Sequence, residues 1–134
     1  MKILVGYLKT PEGAAALERA AEEAALRKAK LVVLHSMRGG ARGEDAEVIT
    51  YRQALAQVES DLGGRGIDFE VREMVRGNSP AEDLIAFSEQ SHVDLIVIGL
   101  RRRSPVGKLV LGSNAQDILL RADCAVLAVK APHS

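Results

Sequence analysis

Four cationic side chains, Arg101, Arg102, Arg103 and Lys108, stand within one eight-residue stretch, and no acid lies among them. Immediately before them Gly99 closes an apolar run. Shortly after them Gly112-Ser113-Asn114 begins a segment with helical character. A glycine ahead of a helix leaves backbone N–H groups free at the positive end of the helix dipole, and a serine adds a hydroxyl. Groups of these kinds can hold a phosphate chain, and the expected contacts are Gly99, Arg101, Arg102, Gly112, Ser113 and Asn114. A solvated loop is the competing account of the three arginines.

No other chemistry is signalled. One cysteine and three scattered histidines offer no metal-ligand spacing. Asp45, Asp68 and Asp83 read as loop, edge-strand and helix-start residues, and no nucleophile stands near a base. His35 is expected to be a structural histidine and Cys124 a small packed hydrophobe. No catalytic and no metal residue is therefore assigned, and an enzyme that hydrolyses nucleotide is the least favoured reading.

The 134 residues carry 18 Lys+Arg against 18 Asp+Glu and are 47% hydrophobic. This suffices for one domain with a real core. Zero net charge and 3% aromatics argue against nucleic acid as a partner, since neither a basic surface nor a stacking platform is available. No apolar run approaches the length of a membrane span, and Met1 to Leu8 is too short for a signal-peptide core, so a cytoplasmic protein is expected.

Lys2 to Leu8 reads as a strand buried on both faces. Thr10 is placed as N-cap and Pro11 as first helical residue of an Ala-rich helix through Ala29. Leu31 to His35 is the second strand, and residues 38–47 are a charged, glycine-rich loop. Val48, Tyr51, Leu55, Val58 and Leu62 then recur at helical period, with Gly63-Gly64 as the stop. Ile67 to Val71 alternates like an edge strand. Ser79-Pro80-Ala81-Glu82 is a capping box, and its helix runs to about His92. Val93 to Ile98 is a strand, Ser113 with Gln116 suggests a second capping box, and Ala125 to Val129 is the last strand. Strand and helix alternate throughout. The expected fold is a doubly wound α/β domain, a parallel five-stranded sheet of order 3-2-1-4-5 with two helices on each face. The ligand crevice of such a sheet lies beyond the carboxyl ends of the strands.

The stretch from Asp94 to Lys130 strongly resembles the C-terminal half of universal stress proteins, and the likeness extends to Val75–Glu82 and the first strand and helix. That family's nucleotide signature is Gly, two residues, Gly, nine residues, Gly, then Ser or Thr. Gly99, Gly112 and Ser113 fill three of its positions at the correct spacing, and Arg102 stands at the second glycine. The resemblance implies a Rossmann-like, adenine nucleotide alpha hydrolase-like fold and a role as a stress-response or regulatory module. It implies ATP or another adenine nucleotide, with Mg²⁺, as ligand, and Gly6, Tyr7, Leu8 and Ser36 on the nucleoside side. Leu8 occupies the place where ATP-binding relatives carry an aspartate, so weaker binding than in those relatives is expected. The alternative is a regulatory or structural dimer of the same fold that binds no nucleotide. The resemblance and the flat apolar last strand together imply a homodimer through Val126, Leu127, Ala128 and Val129.

Overall fold

The computed structural model describes residues 1–8, 10–38, 45–76, 79–103, 108–110 and 112–131. Its elements are β1 (Lys2–Gly6), α1 (Pro11–Arg27), β2 (Lys30–Arg38), α2 (Asp45–Gly64), β3 (Phe69–Arg76), α3 (Pro80–Gln90), β4 (Leu95–Arg103), β5 (Lys108–Val110), α4 (Ser113–Arg121) and β6 (Ala125–Lys130). Five parallel strands run in the order β3-β2-β1-β4-β6, as the strand–helix alternation predicts. β5 was not expected. It pairs antiparallel with the outer end of β4, Arg102 opposite Leu109, so Arg101 to Arg103 belong to a strand and not to a loop. Of the expected loop at 38–47, residues 39–44 lie outside the described residues, Arg38 ends β2 and Asp45 starts α2.

Alternation along the strands sorts the core into two layers. Ile3 and Val5 of β1, Leu31 and Val33 of β2, and Leu95 and Val97 of β4 face α1 and α2. Leu4, Val32, Leu34, Ile96 and Ile98 face α3 and α4. Both layers are aliphatic because the central strands are apolar on both faces, as parallel strands between helices must be.

Local signals account for most helix ends. Thr10 is in extended conformation and its hydroxyl accepts from Gly13 N at 3.0 Å, with Pro11 following. The capping box at α3 is complete, Glu82 N donating to Ser79 Oγ at 3.2 Å and Ser79 N to Glu82 Oε1 at 3.4 Å. α2 ends at Gly64, so that Gly63-Gly64 stand at its stop as expected. The chain turns at Gly66, whose φ of 72° suits glycine.

α1 approaches the sheet more closely than side chains would allow. A β-carbon on Gly99 would stand 2.1 Å from the Glu12 carbonyl oxygen, and one on Gly13 would stand 2.3 Å from that of Leu8. The buried face of α1 continues this approach with Ala16, Ala20, Ala21 and Ala24. Glu23, on the same helix, is nearly buried and accepts from Arg27 Nε at 2.8 Å and Arg19 Nε at 3.2 Å. These bonds, that from Arg27 first, hold its carboxyl below its ordinary range. His35 is 4% exposed, its ring edge-on to Tyr7 at 5.9 Å between centroids. This is the structural placement expected of it. Burial pushes its pKa below the ordinary 6.5, and the charge of Glu73 opposes that in part.

Two outcomes follow from these contacts. Gly99→Ala should destabilise by about 2 kcal/mol, as overpacking does when backbone must move, and denaturant unfolding would reveal it; an unchanged midpoint would contradict the close approach. His35 binds its proton less readily folded than unfolded. Its stabilisation is therefore complete above about pH 6.5 and is lost as pH falls through the lowered folded value. Urea unfolding from pH 7 to 5 should show a shallower loss of stability in His35→Gln than in the parent, and parallel curves would rule the burial effect out.

Candidate functional site

Strand order reverses at β1, which pairs with β2 on one side and β4 on the other. Beyond the carboxyl ends of β1 and β4 lies the crevice where sheets of this kind bind ligands. Tyr7 N donates to Leu34 O at 2.8 Å, which carries the β1 backbone one residue past the strand. Tyr7 itself is buried, while Leu8 is 44% exposed at the mouth of the crevice. Gly6 ends β1 under α3, where a β-carbon would stand 3.2 Å from Leu84 Cδ1. Ser36 lies in β2 in register with Met74, and its side chain is outside the described set.

On the β4 side, the first glycine of the signature has a structural occupant. The space in front of Gly99 is taken by the backbone of Glu12. Two residues on, Arg101 Nε donates to Glu12 Oε2 at 3.3 Å. The expectation that no acid offsets the basic stretch is thereby corrected at Arg101, because the fold brings an acid 89 residues distant in sequence against it. Arg102 and Arg103 are placed in β4 by their pairing with Leu109 and Lys108.

The start of α4 also differs from expectation. The N-cap is Gly112 and not Ser113, no side chain caps the helix, and Gln116 N donates to the Gly112 carbonyl at 2.9 Å. Its first turn, Ser113 and Asn114 included, contains no acid. The first turn of α1 has Glu12, and that of α3 has Glu82 and Asp83. Ser113 and Asn114 are exposed. A helix end of this kind keeps both its unsatisfied N–H groups and its partial positive charge. Gly112 has φ −67° and ψ 165°, open to any residue, and a β-carbon on it would meet nothing within 4 Å among the described residues. Among the described residues no group of three His, Cys, Asp or Glu could hold a metal ion.

A second concavity was not foreseen. Between α1 and α2 runs a cleft of about 690 Å³ that begins at Tyr7 and Leu8 and ends at Asp61 and Arg65. At that far end Arg65 Nη2 and Nη1 donate to Glu18 at 2.8 and 3.0 Å, and Nη2 meets Asp61 Oδ2 at 3.0 Å. The hydrogen bonds from Arg65 hold the Glu18 carboxyl below its ordinary range. A gap between two helices has no local sequence signal; the run of alanines along α1 was the only hint. No helix among the described residues is long and apolar enough to cross a membrane.

The model of the Universal stress protein family matches residues 1–130. A universal stress protein of Mycolicibacterium smegmatis is 42% identical over 131 residues, spanning 98% of this chain and 98% of its own. A solved universal stress protein from Archaeoglobus fulgidus superposes with a TM-score of 0.82 at 37% identity, over 97% of this chain and 98% of that one. A universal stress protein from the same organism, solved in complex with dAMP, superposes with a TM-score of 0.76 at 32% identity over the same shares. With its whole sheet and both helical layers inside the matched region, the chain belongs to the universal stress protein family.

Proposed function

We propose that this chain is a cytoplasmic regulatory module that binds an adenine nucleotide at the carboxyl ends of β1 and β4 and acts through association, without turnover. The observation that carries the reading is Gly112. Neither its backbone conformation nor its surroundings among the described residues call for glycine, and the absent side chain leaves room before the bare amides of α4. Phosphate is suited to that room. Gly112, Ser113 and Asn114 would supply amides and a hydroxyl, and Arg101 and Arg102 charge from β4. Mg²⁺ would arrive on the phosphates of a nucleoside polyphosphate, as it commonly does, and not in a protein cage. The dAMP complex of the Archaeoglobus relative supports adenine as the base. Leu8, at the mouth of the crevice, offers apolar contact in place of a hydrogen-bond acceptor, which favours weak binding.

Leu8 also favours a second reading, a regulatory dimer without nucleotide, and titration calorimetry with AMP and with ATP and Mg²⁺ separates the two. Gly112→Asp is the informative variant. An aspartate at the N-cap should stabilise the fold by about 0.5 kcal/mol and weaken nucleotide binding at least ten-fold, because it occupies and charges the phosphate position. Unchanged affinity would sink the nucleotide reading at this helix end, and no binding by the parent would leave the second reading in possession.

We further infer that two copies pair through β6. Among the described residues this strand is hydrogen-bonded to β4 along one edge only, and Val126, Leu127 and Val129 are half-buried. An apolar edge of this kind invites another strand, and a copy of the same chain satisfies it about a two-fold axis. Light scattering should give a dimer at micromolar concentration and a monomer for Leu127→Pro, with circular dichroism confirming that the variant is folded. A monomeric parent, or a folded variant that dimerises as before, would place the interface elsewhere.

A further inference from the structure

The pleat of β4 divides the four cations of the basic stretch between two faces, and we propose that Arg102, alone among them, holds the phosphate of the bound nucleotide. The inference rests on the nucleotide reading above and names the side chain that meets the ligand's charge. Successive residues of a strand belong to opposite faces. Leu95 and Val97 are in the layer under α1, and Ile96 and Ile98 are in the layer under α3 and α4. Two contacts carry the same alternation to the outer end of β4. A β-carbon on Gly99 would strike the Glu12 backbone of α1, and Arg101 bonds to the Glu12 carboxylate. Positions 99 and 101 are therefore on the α1 face, and position 102 is on the other. Antiparallel residues directly opposite one another share a face. Lys108, opposite Arg103, thus joins the α1 face, and Leu109, opposite Arg102, joins the α4 face.

α4 packs its Ile118 into the layer of Ile96 and Ile98, so its bare first turn is on the face of Arg102. From Leu109, opposite Arg102, to Gly112 the chain spans at most about 10 Å. This keeps position 102 and the amides of α4 close enough to share one phosphate. Positions 101, 103 and 108 are on the opposite face, and Arg101 is in addition held by Glu12, whose side chain is only 15% exposed. Arg102 also stands at the second glycine of the signature. Where the signature omits a side chain, this chain places a guanidinium, whose planar fork matches a phosphate through two parallel hydrogen bonds. A cation carried by the chain itself suits a single phosphate without a divalent ion, which favours a nucleoside monophosphate as the ligand.

Calorimetry on the full chain in EDTA, with AMP and adenosine as probes, tests this, and circular dichroism checks that each variant is folded. Arg102→Gln should weaken AMP about ten-fold, as loss of a charged hydrogen-bond donor does, and leave adenosine as in the parent. Arg102→Lys should recover part of the loss. Arg103→Gln and Lys108→Gln should bind AMP within about two-fold of the parent, because solvated charges away from the contact are screened. Arg101→Gln should cost less than Arg102→Gln. AMP affinity that ignores Arg102→Gln, equal losses in the Arg102, Arg103 and Lys108 variants, or adenosine weakened as much as AMP overturns the proposal. AMP binding that falls in Gly112→Asp but not in Arg102→Gln overturns it and leaves the nucleotide reading standing, whereas no AMP binding by the parent overturns both.

Discussion

The first turn of α1 lies against β4 at backbone distance, and the geometry of the molecule depends on it. Gly99 is where a side chain would push helix and sheet apart, Gly13 is where one would strike the Leu8 backbone in the turn after β1, and the alanines of the buried face keep the separation small along the helix. Close approach brings Glu12 within reach of Arg101. On its other side α1 meets α2, to which it is joined at the far end by ion pairs, with a cleft between them.

A glycine can be kept for what it admits or for what it leaves open, and this chain has both kinds within one signature. Gly99 admits a neighbouring backbone; Gly112 leaves space in front of a helix. Spacing alone cannot separate the two, because a pattern of glycines records only where side chains are absent. The distinction matters for substitution. Loss of the first glycine is felt by the fold, whereas loss of the second is felt by whatever approaches from outside.

Much of the architecture was legible because its signals are local. Thr10-Pro11 and Ser79-Pro80-Ala81-Glu82 announce helix starts by chemistry confined to a single turn, and the apolar runs of β1, β2 and β4 announce burial on both faces. What escaped was set by distant partners. Arg101 to Arg103 reads as a loop by composition, yet pairing with Lys108 to Val110 makes it a strand. Strand formation follows such context more than residue preference. At the candidate site, the signature singles out Gly99, Gly112 and Ser113, but Glu12 as the partner of Arg101 and the cleft along α1 both arise from tertiary distances that no local pattern encodes.

The pairing of Arg101 with Glu12 changes how an anion is received. A free guanidinium attracts phosphate through the solvent and does so less as salt is added. A guanidinium already held by a carboxylate presents almost no net charge at a distance, and an incoming anion must share or displace the existing partner. On the proposed reading, the amides of α4 would add fixed dipoles that act at contact range, within the first turn of the helix, so that fit at the helix end would count for more than attraction from afar.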